Sequence, residues 1–400
     1  MKRFSFFFLA AAMLVASCSS PVSKDVEVIA PYVTSIVSVE KPGDAWVTVK
    51  MDLRNNTEEP VEGTLKCKLA GGYFEMPVGP IEAGETVNLA VDSKQMPGLH
   101  LSKASIWNTW DTGKTALYDL SVEFRTAEGL ADEVKTTFGI RELSSRMDRK
   151  MDKALYLNGA QLDVRGVMLP EPEVSVLAKL QSLGFNTVRI PAEAEVSEEF
   201  LNECDVKGFI AIISLNGKSE EDILAFRHHP CVLGWHDGEE GSLPEGYKSI
   251  CLCCMETPAA CYGNDAHGFY AYVGLPEEGE KEEEVRVMFE SFRLLKPAVK
   301  GYILSAVPAG SQLEALKAAS QPVQLIYNYA DRQIWAVSDK GGKVGYEIKF
   351  SDAEGRPVDS IEGSVKVEAG VPAVAAAVPS EEVAVVEVAL KGKPAKKYSL

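Results

Sequence analysis

The first third of the chain carries an alternating pattern of apolar and polar residues. Residues 46–53 alternate with a period of two, the period at which the side chains of a strand point to opposite faces. Polar turn clusters separate this segment from further strand-like segments at residues 61–69, 86–91 and 118–125. Several short strands at this spacing are typical of a β-sandwich. We therefore predict an N-terminal β-sandwich over residues 29–145.

From residue 150 onward, apolar segments of strand length alternate with segments of helical periodicity. Asn158-Gly159 forms a tight turn between two short strands that precede the alternation. Alternation of strands and helices implies a parallel sheet or a barrel. The predicted strands are residues 185–190, 209–213, 231–235, 250–255, 269–273 and 299–305, and the predicted helices are residues 173–183, 198–206, 222–228 and 281–295.

The strand–helix region, residues 150–315, is shorter than a complete eight-fold (β/α) barrel, which takes about 250 residues. We therefore predict a shortened TIM barrel. From residue 324 the pattern is again that of strands separated by Gly-rich turns. This pattern predicts a small C-terminal β-sandwich over residues 320–400, and with it a multi-domain protein.

The start of the chain has the pattern of an export signal. Two basic residues precede an apolar stretch, residues 4–14, which is too short to span a bilayer stably. Residues 14–18, Leu-Val-Ala-Ser-Cys, look like a bacterial lipobox, in which the cysteine is lipidated and becomes the mature N-terminus. We predict a signal peptide at residues 1–17 and a lipidated tether at residues 18–28, with acyl chains on Cys18 as the membrane anchor. A plain secretory signal that contains a cysteine is the alternative.

Composition and charge narrow the classes of function. The chain has 400 residues, of which 46% are hydrophobic, and a formal net charge of −17. These proportions are those of a globular protein. The acidic charge argues against binding to nucleic acid and against docking on anionic lipid. Solubility is the simpler explanation of the charge.

Cysteine usage indicates neither a disulfide framework nor a metal site. The chain has eight cysteines, so lipidation of Cys18 leaves an odd number. Cys251, Cys253 and Cys254 lie in a segment with the pattern of a buried strand, and no partner pair with the spacing of zinc ligands follows them. We therefore predict no metal and no cofactor.

Several motifs together resemble those of glycoside hydrolase family 2. Residues 227–240 resemble the family segment in which a His-Pro-x-Val strand runs through Trp to Gly-Asn-Glu. Residues 184–189 match its Gly-x-Asn-x-Val-Arg, and residues 138–142 look like the closing Phe-Gly-x-Arg of its immunoglobulin-like domain. Residues 107–120 are similar to the Trp-containing edge of that domain. The resemblance implies an immunoglobulin-like β-sandwich followed by a TIM barrel.

In that family two carboxyl groups about 5 Å apart cleave the glycosidic bond, one as acid/base and one as nucleophile. The resemblance gives Glu240 the acid/base role and places Glu239 where the family has an Asn that binds the sugar 2-hydroxyl. An ionised Glu239 cannot donate that bond. Glu256, at the end of an apolar segment, is the nucleophile candidate, although the family nucleophile lies farther along the chain. Arg189 and Trp235 are assigned to substrate binding. The alternatives are a structural ion pair for Arg189 and a solvated acidic turn for Glu239 and Glu240.

The resemblance implies a protein that acts on β-linked glycans at the bacterial cell envelope, on its periplasmic or cell-surface face, with catalysis retained, weakened or lost. The alternative is a non-catalytic lipoprotein that binds glycans or serves as a scaffold through a degenerate barrel. A third interpretation is a structural lipoprotein of the cell envelope that binds no ligand. A second carboxylate within about 7 Å of Glu240 would discriminate between them. The turn at His228-His229-Pro230 is predicted to be structural.

Overall fold

The computed structural model describes residues 22–147, 153–214, 224–236, 254–255, 270–273, 282–295 and 301–400. These residues belong to two compact units. The first combines Met1–Tyr32, Val49–Gly98 and Asp119–Thr136, and the second combines Val33–Thr48, Leu99–Tyr118 and Thr137–Leu400. Within the described ranges, every helix lacks either the length or the apolar character that a membrane crossing requires.

The N-terminal strands form two sheets. They are β1 (Val26–Val37), β2 (Ala45–Asn55), β3 (Val61–Leu69), β4 (Gly72–Ile81), β5 (Thr86–Val91), β6 (His100–Leu101), β7 (Tyr118–Thr126) and β8 (Gly129–Phe138). One sheet has the order β1-β2-β5, with β6 paired to β2, and the other has the order β4-β3-β7-β8. Every second residue of β2 is buried, from Ala45 to Asn55, as the period-two pattern predicts. The predicted strand-rich N-terminal region is confirmed.

A hairpin follows, built from β9 (Leu143–Met147), β10 (Lys153–Leu157) and β11 (Ala160–Gln161). The turn between β10 and β11 has positive φ at both central residues, 53° at Asn158 and 81° at Gly159. Asn and Gly tolerate that conformation, which a two-residue hairpin turn requires. Leu157 pairs with Ala160 across the turn. The predicted Asn158-Gly159 turn is therefore confirmed.

The centre of the second unit is a seven-stranded sheet with four helices described around it. The strands are β12 (Val164–Met168), β13 (Thr187–Ile190), β14 (Ile210–Ser214), β15 (Val232–His236), β16 (Cys254–Met255), β17 (Tyr270–Val273) and β18 (Gly301–Leu304); the helices are α1 (Val174–Ser182), α2 (Glu198–Lys207), α3 (Glu282–Leu295) and α4 (Gly310–Ala319). The order of the strands in the sheet is β15-β14-β13-β12-β18-β17-β16, and every neighbouring pair of strands is parallel. All five residues of β14 are buried, as expected of a parallel strand covered on both faces.

The predicted elements of this region that fall on described residues agree with the observed ones to within about two residues at their ends, and residues 224–226 of the predicted helix at 222–228 are helical. Strand β12 and helix α4 are not among the predicted elements, and residues 250–253 of the strand predicted at 250–255 lie outside the described ranges.

Among the strands predicted at residues 185–190, 209–213 and 231–235, the largest shift is in β13, which begins at Thr187 rather than at residue 185. The buried Asn186 precedes it, and its side chain accepts a hydrogen bond from the Arg165 backbone N–H (2.9 Å) and donates one to the Asp163 carbonyl (2.9 Å). Asn186 thus fixes the entrance of β13 beside β12.

Two glycines that follow helices differ in how closely the chain packs around them. Gly184 follows α1 and Gly208 follows α2, both with positive φ, 86° and 73°. A Cβ atom at Gly184 would meet nothing within 4 Å, whereas one at Gly208 would lie 2.5 Å from Thr115 Cγ2 and 2.6 Å from the Trp110 backbone nitrogen. The two positions therefore have the same backbone requirement but different surroundings.

Gly208→Ala is expected to lower the free energy of unfolding by about 3 kcal/mol, because left-handed strain adds to overlap with backbone atoms. Gly184→Ala serves as the matched control and is expected to cost about 1 kcal/mol from strain alone. Urea unfolding followed by circular dichroism measures both. Equal losses in the two variants would show that the surroundings of Gly208 are less tightly packed than the structure indicates.

The C-terminal region is again built from antiparallel strands. They are β19 (Val323–Asn328), β20 (Gln333–Ser338), β21 (Gly342–Ser351), β22 (Pro357–Val367), β23 (Ala373–Ala377), β24 (Val385–Leu390) and β25 (Lys396–Ser399). Two sheets result, with the orders β19-β20-β23 and β22-β21-β24-β25. The buried Glu290 of α3 binds Lys396 Nζ (2.6 Å) and Tyr398 OH (2.7 Å), which ties that helix to β25. The predicted return to strands after residue 320 is confirmed.

Candidate active site and a buried histidine cluster

The carboxyl ends of β12, β13, β14 and β15 lie along one edge of the parallel sheet, which we call the carboxyl edge. Met168 pairs with Arg189, Arg189 with Ile212, and Ser214 with His236. The half-buried Arg189 is one residue from the end of β13. Sheets of parallel strands carry their binding and catalytic side chains at this edge. The carboxyl edge is therefore the candidate active site.

Of the residues predicted for the site, the structure places Arg189 at this edge and the backbone of Trp235 in β15. Trp235 pairs with Ile213 of β14, one position before the end of its strand. The catalytic pair stays a prediction because its members lie beyond the described ranges. The predicted residues that lie outside the described ranges are Cys18, Glu239, Glu240 and Glu256.

A cavity of about 390 Å³ opens at the opposite edge of the sheet. Its lining includes Arg165, near the start of β12, and Gly301, the first residue of β18. Two arginines face it, and both are paired: Arg165 with Asp111, and Arg293 with Asp339. The cavity therefore lies at the amino ends of the strands, away from the edge where such sheets carry out chemistry.

Two histidines of the segment that enters β15 face two carboxylates of α2 in a cluster, and the His229 and Asp205 side chains among them are buried. His229 Nδ1 lies 2.6 Å from Asp205 Oδ2, and its Nε2 lies 3.1 Å from Glu198 Oε2. His228 Nε2 lies 3.3 Å from Glu198 Oε1. The Cys231 backbone N–H donates to Asp205 Oδ1 (2.8 Å). Glu198 and Asp205 are seven residues apart on α2, so they share one face of that helix two turns apart.

Two further side chains brace this segment. Trp107, which is fully buried, donates from Nε1 to the Asp205 carbonyl (2.8 Å). Arg141 donates from Nε to the Pro230 carbonyl (3.1 Å) and from Nη2 to the Val232 carbonyl (3.0 Å). Burial lowers the pKa of Arg141 to about 10, which leaves the guanidinium charged at neutral pH. The start of β15 is thus fixed by α2 on one side and by Trp107 and Arg141 on the other.

The two histidines respond differently to these surroundings. Burial acts to lower the pKa of His229, but the hydrogen bond to Asp205 and the charges of Asp205 and Glu198 outweigh it, so the pKa is raised. Burial, followed by the neighbouring His229, lowers the pKa of His228. The rings are tilted by 35° with their centroids 4.0 Å apart. Two adjacent histidines therefore have pKa values shifted in opposite directions.

Two buried thiols, Cys204 and Cys231, lie beside the cluster. Burial, followed by the charge of Asp205, raises the pKa of both well above the usual value. A raised pKa disfavours the thiolate, which is the nucleophilic form of cysteine. Cys231 is therefore a packing residue despite its position next to a His–Asp pair.

The cluster was not predicted from the sequence, although the position of the His-Pro turn before a strand was. Asp205 and His229 are 24 residues apart in sequence, and their contact depends on how α2 packs against β15. The available signal was the spacing of Glu198 and Asp205, two acids at i and i+7 on one predicted helix. The buried member of that pair required a partner, since unpaired carboxylates are almost never fully buried.

Comparison with known proteins identifies a family match to residues 26–141, two curated relatives of part of the chain, and solved structures with a similar fold. Residues 26–141 match the sequence profile of the family described as glycosyl hydrolases family 2. An exo-β-D-glucosaminidase from Streptomyces avermitilis is 25% identical over 190 residues, which are 45% of this chain and 21% of that protein. One from Amycolatopsis orientalis is 26% identical over 185 residues, which are 43% of this chain and 17% of that protein.

The crystal structure of Amycolatopsis orientalis exo-chitosanase is similar in fold, with a TM-score of 0.64 at 16% identity; the match covers 94% of this chain and 64% of that one. At that identity the likeness concerns the fold alone. The chain spans about a fifth of the length of the curated relatives it matches. The matches confirm the resemblance to family 2 that the motifs predict.

Proposed function

Because the chain is a relative of the family 2 glycosyl hydrolases through residues 26–141, we propose that it acts on β-linked glycans at the bacterial cell envelope. Glu240 is the acid/base in this proposal and Glu256 the nucleophile candidate. Arg189, Glu239 and Trp235 line the substrate. The observation that carries the proposal is the carboxyl edge of the sheet. The strand β15 ends at this edge, and the half-buried Arg189 lies at the same edge, near the end of β13.

The position of Glu240 follows from its distance along the chain to β15. His236 is the last residue of β15 and pairs with Ser214 at the end of β14. Glu240 is four residues farther on, so an extended chain holds it within about 14 Å of that edge. Trp235 therefore lies in β15, and Glu239 and Glu240 follow the end of that strand within four residues of the chain. This supports the assignment of the strand β15 as the carrier of the acid/base.

The second carboxylate sets a condition on the sheet. Glu256 directly follows β16, and β15 and β16 are the two ends of the seven-strand order. In an open sheet, six spacings of about 4.8 Å would separate these strands by about 29 Å. Retaining hydrolysis needs carboxyl groups about 5 Å apart. The enzymatic proposal therefore includes closure of the sheet into a shortened TIM barrel, in which β16 returns toward β15.

We propose the corresponding domain division for the whole chain. An immunoglobulin-like β-sandwich at residues 29–145 precedes a shortened barrel at residues 150–315, and a C-terminal β-sandwich occupies residues 320–400. Residues 1–17 act as a lipoprotein signal, and residues 18–28 as a tether lipidated at Cys18. Pairing of the first strand of the barrel region, β12, with the last, β18, supports this arrangement, since the first and last strands of a barrel are neighbours.

The names of the relatives narrow the substrate class. The two curated relatives are both exo-β-D-glucosaminidases, enzymes named for the removal of β-linked glucosamine. We propose a terminal β-linked amino sugar as the group that this chain recognises. A glucosaminide amine is cationic near neutral pH, and a chain with a net charge of −17 favours such a ligand over the anionic uronic acids.

The proposal is tested by incubating the full chain with each of five aryl β-glycosides: the glucosaminide, mannoside, galactoside, glucuronide and glucoside. We expect hydrolysis, fastest on the glucosaminide. Release of the aryl group is followed by absorbance, with the glucuronide as the charge-reversed control. Faster hydrolysis of the glucuronide than of the glucosaminide would contradict the substrate class.

The second candidate function is a non-catalytic lipoprotein that binds or displays glycans. The observation that favours it is Glu239, which stands where family 2 has an Asn and cannot donate a hydrogen bond when ionised. This candidate predicts no hydrolysis of any of the five glycosides, together with saturable binding of chitosan oligosaccharides in calorimetry. Absence of both hydrolysis and binding would contradict the two functions alike.

A further inference from the structure

The cluster beside β15 has the donor set of a metal site. The Nε2 atoms of His228 and His229 both point at the carboxylate of Glu198, one to each oxygen, at 3.3 Å and 3.1 Å. All three ligand atoms lie within 4.8 Å of one another. Two imidazole nitrogens and one carboxylate oxygen are a common ligand set for zinc in proteins.

The opposite nitrogens of both rings fix where the hydrogens are. His229 Nδ1 faces Asp205 Oδ2 at 2.6 Å, and His228 Nδ1 faces the Ala225 carbonyl at 2.9 Å. A carbonyl and a carboxylate oxygen only accept, so each Nδ1 must carry the hydrogen. In the neutral rings Nε2 is then a bare lone pair directed at Glu198.

Without a cation, this arrangement brings acceptors together. A neutral imidazole with its hydrogen on Nδ1 would place a lone pair of Nε2 against a lone pair of Glu198. Protonation of His229 alone would let its Nε2 donate to Glu198 Oε2, but a neutral His228 would still direct its Nε2 lone pair at Glu198 Oε1. Protonation of both rings would relieve that contact, but it would put two positive charges on rings whose centroids are 4.0 Å apart. One divalent cation between the three ligand atoms satisfies all of them at once.

We infer that Glu198, His228 and His229 bind a single divalent transition-metal ion, Zn²⁺ or one with the same ligand preference. The geometry permits this: metal–ligand bonds of about 2.0–2.2 Å in tetrahedral geometry place ligand atoms about 3.4 Å apart. One ligand atom from each of the three residues lies within 4.8 Å of the others, and the 3.3 Å and 3.1 Å contacts of the two histidines are to different oxygens of Glu198. Asp205 is a positioning residue, since it holds His229 through the other ring nitrogen in the manner of carboxylate–histidine–zinc triads.

Burial around the site suits an ion that enters from solvent. The His229 and Asp205 side chains are 0% and 1% exposed, whereas the Glu198 side chain is 56% exposed. The inner ligand is thus held rigidly, and the outer one leaves a path and a fourth position for water. The ion would join α2 to the segment that enters β15, and so stabilise the strand that leads to Glu239 and Glu240. This inference does not depend on the proposed function.

The test uses the full chain after treatment with a chelator. Zn²⁺ is titrated by calorimetry into the wild type, Glu198→Gln, His228→Gln and the control Glu199→Gln, whose side chain is exposed on the same turn. We expect one ion per chain in the wild type and the control, and affinity weaker by more than about 100-fold in the other two variants, since loss of a direct ligand costs more than loss of a residue that only orients a ligand. Glu198→Gln changes an exposed side chain, and circular dichroism without zinc verifies that each variant is folded.

Co²⁺ provides a second readout that separates this site from the cysteines. Bound by two imidazoles and a carboxylate, Co²⁺ gives visible d–d absorption without the intense thiolate charge-transfer bands of a cysteine site. Absence of bound Zn²⁺ in the wild type would overturn the inference. Equal affinity in all four proteins, or thiolate charge transfer with Co²⁺, would overturn it as well.

Discussion

Asp205→Ala is expected to lower the free energy of unfolding by about 4 kcal/mol, the cost of breaking a buried charged pair and leaving donors unsatisfied. The Asp205 side chain is 1% exposed and accepts hydrogen bonds from His229 Nδ1 and from the Cys231 backbone N–H. Alanine leaves both donors buried without an acceptor. Since Trp107 also binds the Asp205 backbone, loosening of α2 here would disturb the core under β15.

Urea unfolding of three variants measures this effect. Asp205→Asn keeps one acceptor oxygen for Cys231 and is expected to cost less, about 2 kcal/mol. The matched control is Glu203→Ala, on the same helix, which removes an ion pair with Lys207 and is expected to cost within about 0.5 kcal/mol. A loss in Asp205→Ala no larger than that in Glu203→Ala would contradict the structural role of the cluster.

Glu240→Gln is expected to lower kcat on an unactivated β-linked oligosaccharide by about 10³-fold, the usual contribution of a general acid–base group. Glutamine keeps the shape of the side chain but cannot transfer a proton. An aryl glycoside with a good leaving group needs less help from the acid, so its first step is expected to suffer less. The ratio between the two substrates therefore reports on proton donation rather than on binding.

Glu239 provides the matched control for that measurement. Glu239→Asn introduces a side chain that can donate to the sugar 2-hydroxyl, a bond that strengthens in the transition state. It is expected to leave kcat unchanged or to raise it, while Glu240→Gln lowers it. Unchanged kcat in both variants would indicate that this acidic pair is a solvated turn and not part of a catalytic site, and a comparable loss in both would contradict the separate role assigned to Glu240.

The strands and helices were predictable where local pattern and burial agree. β14 is a five-residue apolar segment, and the structure buries all five residues. α2 begins at the Ser197 cap, whose side chain accepts from the Phe200 N–H, and is followed by Gly208 in the left-handed conformation. Such signals span only a few residues, so they can be recognised from the sequence alone.

The contacts that fix β15 were not predictable in the same way. Trp107 reaches Asp205 across 98 residues, and Arg141 reaches Val232 across 91 residues. Both residues belong to the motifs that resemble family 2, but nothing in the local sequence shows that they contact α2 and the start of β15. The catalytic assignment of Glu240 rests on a motif, and Arg189 is the one predicted site residue whose side chain the structure describes at the carboxyl edge.

The most direct test of the central claim is the steady-state hydrolysis of 4-nitrophenyl β-D-glucosaminide by the full chain, compared with Glu240→Gln. The proposal predicts measurable hydrolysis by the wild type and a loss in the variant that grows when the aryl group is replaced by a sugar. Equal rates in the two proteins would contradict it, because Glu240 would then have no part in the reaction. Binding of the glucosaminide without hydrolysis by either protein would instead identify a glycan-binding protein.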